Sequence, residues 1–256
     1  MKKSDQWLAE ATDDLKASIL FLTRLPFARG AVVTETDDLA HAVWAFPVAG
    51  ALIGIIGAVV YALAVRAGLP PWPSAVLAVA VTLLATGCLH EDGLADTVDG
   101  FGGGETRQRK LEIMRDSRIG TYGVCAVTLS IVIRTAALAA LAEPRAVMWA
   151  LLASHAAARA TMAAFMYFVP PARQDGLSFV AGRPSYERAA VAAILGFVLL
   201  IAGIGFGRSV AALVLLAIVM AVMAWLSVVE IDGQTGDVLG AVEQISEIAV
   251  LLVALG

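Results

Sequence analysis

The chain has 256 residues, of which 59% are hydrophobic and 16% are charged, and its formal net charge is −4. Its mean hydropathy of +0.82 exceeds what a soluble core needs, and the small, dispersed charge excludes nucleic-acid binding through a basic surface. Repeated uncharged runs of about twenty residues, enough to cross a hydrocarbon core, predict an all-α, polytopic membrane protein.

The first predicted element is an amphipathic helix. Its apolar residues recur at helical spacing beside polar ones, and they are Trp7, Leu8, Ala11, Leu15, Ile19 and Leu22. We expect this helix to lie on the membrane surface, within an N-terminal interfacial segment of residues 1–40. No uninterrupted apolar run precedes Arg24, so the segment is not expected to be a cleaved signal peptide.

Six membrane spans follow in the predicted order. They are Ala42–Val65, Pro73–Leu89, Ile119–Ala142, Ala146–Val169, Ala189–Gly207 and Ser209–Val229. The last stretch, Val238–Gly256, is nearly long enough to span but carries Glu243 and Glu247, so it is either a seventh helix or a re-entrant one. No linker or repeat divides the chain, and residues 1–256 are predicted to form one bundle of six to seven helices.

Positive charges predict the orientation of this bundle. Thirteen Lys and Arg residues fall on the side of the N-terminus and three on the other side, which are Arg66, Arg145 and Arg208. Since Lys and Arg concentrate in cytoplasmic segments, the N-terminus is expected in the cytoplasm. The polar stretches near residues 90–118, 170–188 and 230–244 then face the cytoplasm together.

The stretch HEDGLADTVDGFGGG, residues 90–104, is the strongest chemical signal. In a helix, Asp92, Asp96 and Asp99 lie within about 60° of one another, so three carboxylates share a face. Crowded carboxylates repel unless a cation lies between them, and their hard oxygens suit Mg²⁺. The alternative is a solvated acidic segment at a helix end, which is disfavoured because the pattern continues into a second cluster.

Two further polar clusters accompany this stretch. RKLEIMRDSRIGTYG, residues 109–123, combines Glu112 and Asp116 with four basic residues suited to phosphate, which are Arg109, Lys110, Arg115 and Arg118. Basic residues in this loop have the alternative role of fixing topology. The third cluster, DGQTGDVLGAVEQISE at residues 232–247, offers Gln234, Asp237 and Glu243 beside glycines that leave room for a large ligand.

These three motifs resemble the signatures of the cobalamin synthase family, the adenosylcobinamide-GDP ribazoletransferases. FLTRLP at residues 21–26 and FPVAG at 46–50 are similar to the family's N-terminal pattern, and the resemblance runs from about residue 15 to the C-terminus. It implies a prokaryotic inner-membrane enzyme that uses Mg²⁺. The enzyme's substrates would be adenosylcobinamide-GDP and either α-ribazole or α-ribazole 5′-phosphate. Its products would be GMP and either adenosylcobalamin or adenosylcobalamin 5′-phosphate. Homo-oligomerisation stays open.

On this resemblance, Asp92, Asp96 and Asp99 are predicted to hold Mg²⁺ and to be catalytic. His90 is a candidate general base because its ordinary pKa lies near 6.5, although on a continuous helix it would point away from the aspartates, and Glu112 or Asp116 is an equal candidate. Glu91 receives little weight. The predicted substrate-binding and phosphate-binding residues are Arg24, Lys110, Glu112, Arg115, Arg118, Gln234, Asp237 and Glu243.

Two other classes of protein are considered. A CDP-alcohol phosphotransferase would also gather aspartates at the cytoplasmic face, but Ala95-Asp96 lacks the arginine that this class places there. A transporter would hold its ionisable groups near the bilayer midplane, among broken helices. Within the predicted spans, Arg134, His155 and Arg159 are either functional or structural, and Arg159 lies one helical turn from His155.

Overall fold

The computed structural model describes residues 3–25 and 39–256, and these residues form helices and connecting turns. Part of the predicted interfacial segment, residues 26–38, lies outside the described residues. The helices in the described part are α1 (Lys3–Leu22), α2 (Leu39–Ala42), α3 (Phe46–Arg66), α4 (Pro71–Thr86), α5 (Leu89–Gly103), α6 (Arg107–Ile113), α7 (Thr121–Leu141), α8 (Pro144–Phe168), α9 (Leu177–Ala181), α10 (Tyr186–Ile204), α11 (Phe206–Ile231) and α12 (Gly236–Leu255).

Apolar helices long enough to cross a membrane confirm the predicted fold class. Five such helices occur in the described residues, at 39–66, 121–141, 186–204, 206–231 and 236–255. Four of them correspond to predicted spans. The fifth, α12, is continuous over twenty residues, so the C-terminal stretch forms a spanning-length helix instead of a re-entrant turn.

The second predicted span, Pro73–Leu89, is wrong at its C-terminal end. Helix α4 ends at Thr86, because Gly87 and Cys88 both adopt left-handed backbone conformations, with φ of 65° and 58°. The chain turns by 87° at this point, and α5 begins at Leu89. The acidic motif is helical as predicted, but it lies on a separate helix at a right angle to the apolar one.

Helix α8 is the central element of the bundle. It has 25 residues, close to the predicted span Ala146–Val169, and is about 37 Å long. It is not among the helices that are apolar enough to span by themselves. It packs against α3, α10 and α12, and Gly54 brings α3 within backbone contact of Leu151. Its neighbours therefore cover most of it.

Helix α1 confirms the predicted amphipathic helix. Trp7 and Leu8 are 66% and 56% exposed, whereas Leu22 at the other end is buried in the bundle. Asp14 accepts hydrogen bonds from the Trp44 indole at 2.7 Å and from Arg188 at 2.9 Å. The C-terminal half of α1 is thus attached to the bundle, and its exposed apolar residues suit the predicted membrane surface.

A close contact between two glycines positions α5 against α12. A Cβ atom on Gly93 would lie 2.7 Å from the carbonyl oxygen of Asp237 and 3.2 Å from the Cα atom of Gly240. Gly240 in turn approaches the backbone of His90. This contact places the acidic helix beside the first turn of α12.

Replacing Gly93 by alanine is expected to lower the free energy of unfolding by about 1 to 3 kcal/mol, because the added methyl meets backbone atoms that cannot rotate away. The thermal unfolding midpoint in detergent measures this change. Gly207→Ala is the matched control, since a Cβ at Gly207 meets nothing within 4 Å. Equal midpoints for the two variants would show that α5 and α12 do not depend on this contact.

Candidate active site

A pocket of about 110 Å³ lies where α1, α5, α8, α9 and α12 meet at one end of the bundle. Its polar wall contains His90 and Asp92 from α5, Ser178 from α9 and Asp237 from α12, and its apolar wall includes Met162 and Met166. About 200° of helical rotation separates His90 from Asp92. Both nevertheless line the pocket. The Nδ1 atom of His90 lies 3.8 Å from Glu243 Oε2 in the bundle interior, so its position agrees with the expectation that His90 points away from the aspartates.

Aspartates from two helices converge beside this pocket. Asp96 is half-buried, and its carboxylate faces the negative charges of Asp92, Asp237 and Asp99. Asp237 lies in the first turn of α12, where its side chain accepts a hydrogen bond from Thr235 at 3.1 Å. The structure thus brings Asp237 to the predicted aspartate face, and the repulsion among these groups favours a bound cation.

Asp99 is engaged in a contact that anchors helix α7. Its two carboxylate oxygens accept hydrogen bonds from the backbone N–H groups of Gly120 at 2.7 Å and Gly123 at 2.9 Å. A Cβ at either glycine would collide with this carboxylate. Carboxylates are favourable at helix N-termini, so Asp99 caps α7 and joins the first motif to the second.

The predicted phosphate-binding residues of the second motif form ion pairs within the protein. Arg115 donates two hydrogen bonds to Asp175 at 2.5 and 2.7 Å, and Lys110 contacts Glu230. Glu112 pairs with the exposed Arg109 at 3.1 Å. This cluster packs α6 against α11 and the loop that follows α8, and its cations already have carboxylate partners.

Asp116 is accessible to solvent and paired with Arg118 at 2.7 Å. Hydrogen bonds from the Arg118 side chain and backbone lower the pKa of Asp116 to about 2. A carboxylate with so low a pKa has little affinity for a proton near neutral pH. Asp116 is consequently a poor candidate for the general base.

The remaining predicted residues lie in different surroundings. Gln234 is buried in the turn before α12, beside the loop that follows α8. The Arg24 side chain is exposed and packs against Gly87 at the turn between α4 and α5. Glu243 is fully buried in the middle of the bundle. Glu243 nevertheless lies 3.8 Å from His90, which lines the pocket.

Charged groups form a buried ion cluster inside the bundle, adjacent to the pocket. Arg134 contacts both Glu91 and Glu247 at 2.8 Å, and Arg159 contacts Glu243. His155 lies 2.8 Å from Arg159, the pairing considered in the sequence analysis. The buried ion cluster, which consists of Glu91, Arg134, His155, Arg159, Glu243 and Glu247, ties α5, α7, α8 and α12 together.

Three members of the buried ion cluster have the arrangement of a metal site. The ligand atoms of His155, Glu243 and Glu247 lie within 4.8 Å of one another. The guanidinium of Arg159 contacts all three residues, with Nη1 3.8 Å from Glu247 Oε2. Arg159 therefore supplies the cation that these side chains need. A transporter would require such groups to be open to a path, whereas here they pair with one another.

Comparison with known proteins decides the family. The model of the cobalamin-5-phosphate synthase family matches residues 14–255. The chain belongs to this family. It is 52% identical to the adenosylcobinamide-GDP ribazoletransferase of Mesorhizobium japonicum and 53% identical to that of Bradyrhizobium diazoefficiens, in each case over 94% of this chain and 92% of the relative. The corresponding protein of Brucella ovis is 39% identical over 93% of this chain and 95% of its own length.

Membership in the cobalamin-5-phosphate synthase family identifies the chain as a transferase of cobalamin biosynthesis. The search of solved structures found no match. The family match covers all three polar motifs. The structure brings these motifs to the pocket end of the bundle and to the adjacent buried ion cluster.

The roles of two residues in this cobalamin-5-phosphate synthase family member were not predicted from the sequence. Glu91, which received little weight, is 5% exposed and neutralises Arg134. Arg173, which was counted only for topology, lies 3.8 Å from Asp237. The presence of Arg134 within a predicted span could have indicated the first, because a buried arginine requires carboxylate partners. No local sequence signal indicates the second.

Proposed function

We propose that the chain joins adenosylcobinamide-GDP to α-ribazole, or to its 5′-phosphate, and releases GMP at the pocket formed by α5 and α12. The main support is the convergence of Asp92, Asp96 and Asp237 beside a pocket, in a chain of this family. Transfer between two phosphate-bearing molecules needs positioning and charge neutralisation more than covalent catalysis. Carboxylates with nearby guanidinium groups meet that need.

Mg²⁺ fits the donors at this pocket. Asp92, Asp96 and Asp237 supply hard carboxylate oxygens, and their mutual repulsion calls for a cation. They do not form a close trio of ligand atoms, which in the described residues occurs only in the buried ion cluster. Mg²⁺ usually binds one or two carboxylates and completes its coordination shell with water and phosphate oxygens. Carboxylates that do not all converge on one point are therefore suitable ligands for it. When bound, it would neutralise phosphate charge.

His90 is the candidate for moving the proton. Its Nε2 atom has no hydrogen-bond partner, and the ring lines the pocket. Its Nδ1 atom lies 3.8 Å from Glu243 Oε2, at the edge of the buried ion cluster. The cluster therefore orients the ring. Burial, and then the Arg159 guanidinium, lower the pKa of His90 below its usual range, so its ring is neutral and Nε2 is the atom we propose to accept a proton from a substrate hydroxyl.

The proposed transfer is a single displacement at phosphorus. The ribazole hydroxyl oxygen forms a bond to the phosphorus attached to cobinamide and gives its proton to His90. The bond between this phosphorus and the oxygen that bridges it to the GMP phosphate breaks, and GMP leaves with the electron pair. Aspartates of α5 and α12 hold the reactants, and Asp99 positions α5 by its contact with α7.

We also propose that this pocket faces the cytoplasm from the inner membrane. Thirteen of the eighteen Lys and Arg residues belong to the N-terminal segment and to the connecting segments whose described residues lie at the pocket end of the bundle. The segments at the opposite end carry three. An excess of Lys and Arg on one side of a membrane protein is typical of its cytoplasmic loops.

The purified protein in lipid nanodiscs is expected to release GMP and form the cobalamin product from adenosylcobinamide-GDP and α-ribazole, and chelation of divalent metal should stop both. Added Mg²⁺ should restore them. The measurement follows GMP and corrinoid products by chromatography. Product formation that persists after complete chelation would contradict the metal assignment, and absence of product from folded protein would contradict the proposed reaction.

A further inference from the structure

The loop after α8 is held beside the first turn of α12. Gln234 donates a backbone hydrogen bond to the Pro170 carbonyl at 2.9 Å, and Ala172 donates one to the Gln234 carbonyl at 2.8 Å. Arg107 fixes the same loop through its contact with the Ala172 carbonyl. These bonds place the next residue, Arg173, at the edge of the acidic pocket.

The guanidinium of Arg173 has donors that the protein does not use. Its side chain is 17% exposed, with Nε 3.4 Å from Asp175 and Nη2 3.8 Å from Asp237. Nη1 is buried and has no hydrogen-bond partner. A buried donor without an acceptor destabilises the protein, so this group is available to bind an acceptor of the substrate.

Ser178 provides a second unpartnered polar atom on the same segment. It lies in α9, is 4% exposed and lines the pocket together with Asp92 and Asp237. Its hydroxyl oxygen has no hydrogen-bond partner. Arg173, from the loop after α8, and Ser178, from α9, therefore present donors near the carboxylate of Asp237.

We propose that Arg173 and Ser178 form a subsite for a phosphate group of the nucleotide-activated donor. This inference rests on the proposed function, and it names the residues that bind the anion while the aspartates hold the metal. A guanidinium is suited to two phosphate oxygens at once. Arg115 is less suited, because its Nη2 atom already donates to both carboxylate oxygens of Asp175.

The test measures GDP binding in the presence of Mg²⁺ by titration calorimetry, with the full chain in nanodiscs. Arg173→Gln is expected to weaken GDP binding by about tenfold, since a charge-assisted hydrogen bond is lost. Arg173→Lys should recover part of the affinity, and Ser178→Ala should weaken binding by a smaller factor. Arg183→Gln is the matched control, because Arg183 is exposed and bonded to the Tyr167 carbonyl outside the pocket.

Unchanged GDP affinity in folded Arg173→Gln protein would overturn the subsite, as would an equal loss in Arg183→Gln. The effect on turnover should be mainly an increase in KM for the donor, because the residue binds phosphate. Failure of the proposed function is a separate outcome: the wild type would then form no cobalamin product, although its GDP binding would still depend on Arg173.

Discussion

Replacing Asp96 by asparagine is expected to lower kcat by about a thousandfold while the protein stays folded. Asparagine keeps the size of the side chain but removes the charge that, in the proposed function, holds Mg²⁺. The half-buried carboxylate of Asp96 faces Asp92, Asp237 and Asp99, so its loss also relieves repulsion and should not lower stability. GMP release in nanodiscs gives the rate, and the thermal unfolding midpoint reports folding.

Asp13→Asn is the control for this variant. Asp13 is an exposed residue of α1 that pairs with Lys16, and its replacement removes the same charge far from the pocket. We expect turnover by Asp13→Asn to match the wild type. Full activity in the Asp96→Asn protein would remove Asp96 from the active site.

Replacing Arg134 by methionine is expected to lower the free energy of unfolding by about 3 to 5 kcal/mol. Arg134 is 2% exposed and bonds to Glu91 and Glu247, and its removal leaves both carboxylates in an apolar bundle with too few cations. Unfolding of the purified protein in mixed detergent micelles measures the change. The decrease in the free energy of unfolding should be larger than for any other single substitution described above.

Two further variants separate this effect from simple loss of an arginine. Arg109→Met removes an exposed arginine that pairs with Glu112, and it should change stability by less than about 1 kcal/mol. Adding Glu247→Gln to Arg134→Met should restore part of the lost stability, because one unpaired carboxylate is removed. Equal stabilities for Arg134→Met and wild type would mean that the buried ion cluster contributes no net free energy.

The sequence predicted the helices more reliably than it predicted their breaks. Hydropathy located the apolar helices because a spanning segment must be apolar along its whole length. The end of α4 was placed three residues too late, since left-handed residues at Gly87 and Cys88 are a local backbone choice that hydropathy does not register. Helix α8 was predicted although it is less apolar than its neighbours, because its apolar run is long enough to cross a hydrocarbon core.

The candidate site was predicted in part. Helical spacing correctly placed Asp92, Asp96 and Asp99 on one acidic helix, since spacing within a helix is set by the chain itself. Contacts between distant segments could not be obtained this way. The approach of Asp237 to this helix depends on Gly93 and Gly240, and the position of Arg173 depends on a loop held by Gln234. Both arise only from tertiary packing.

The buried ion cluster also bears on how the chain is assembled during synthesis. Arg159 enters the membrane with α8, but its partner Glu243 follows 84 residues later, on the final helix. Until the ribosome has delivered α12, α8 is a segment of low hydropathy whose charges lack their carboxylates. The ion pair between Arg159 and Glu243 can therefore form only after α12 has been synthesised, so the contact between α8 and α12 is made late in the synthesis of the bundle.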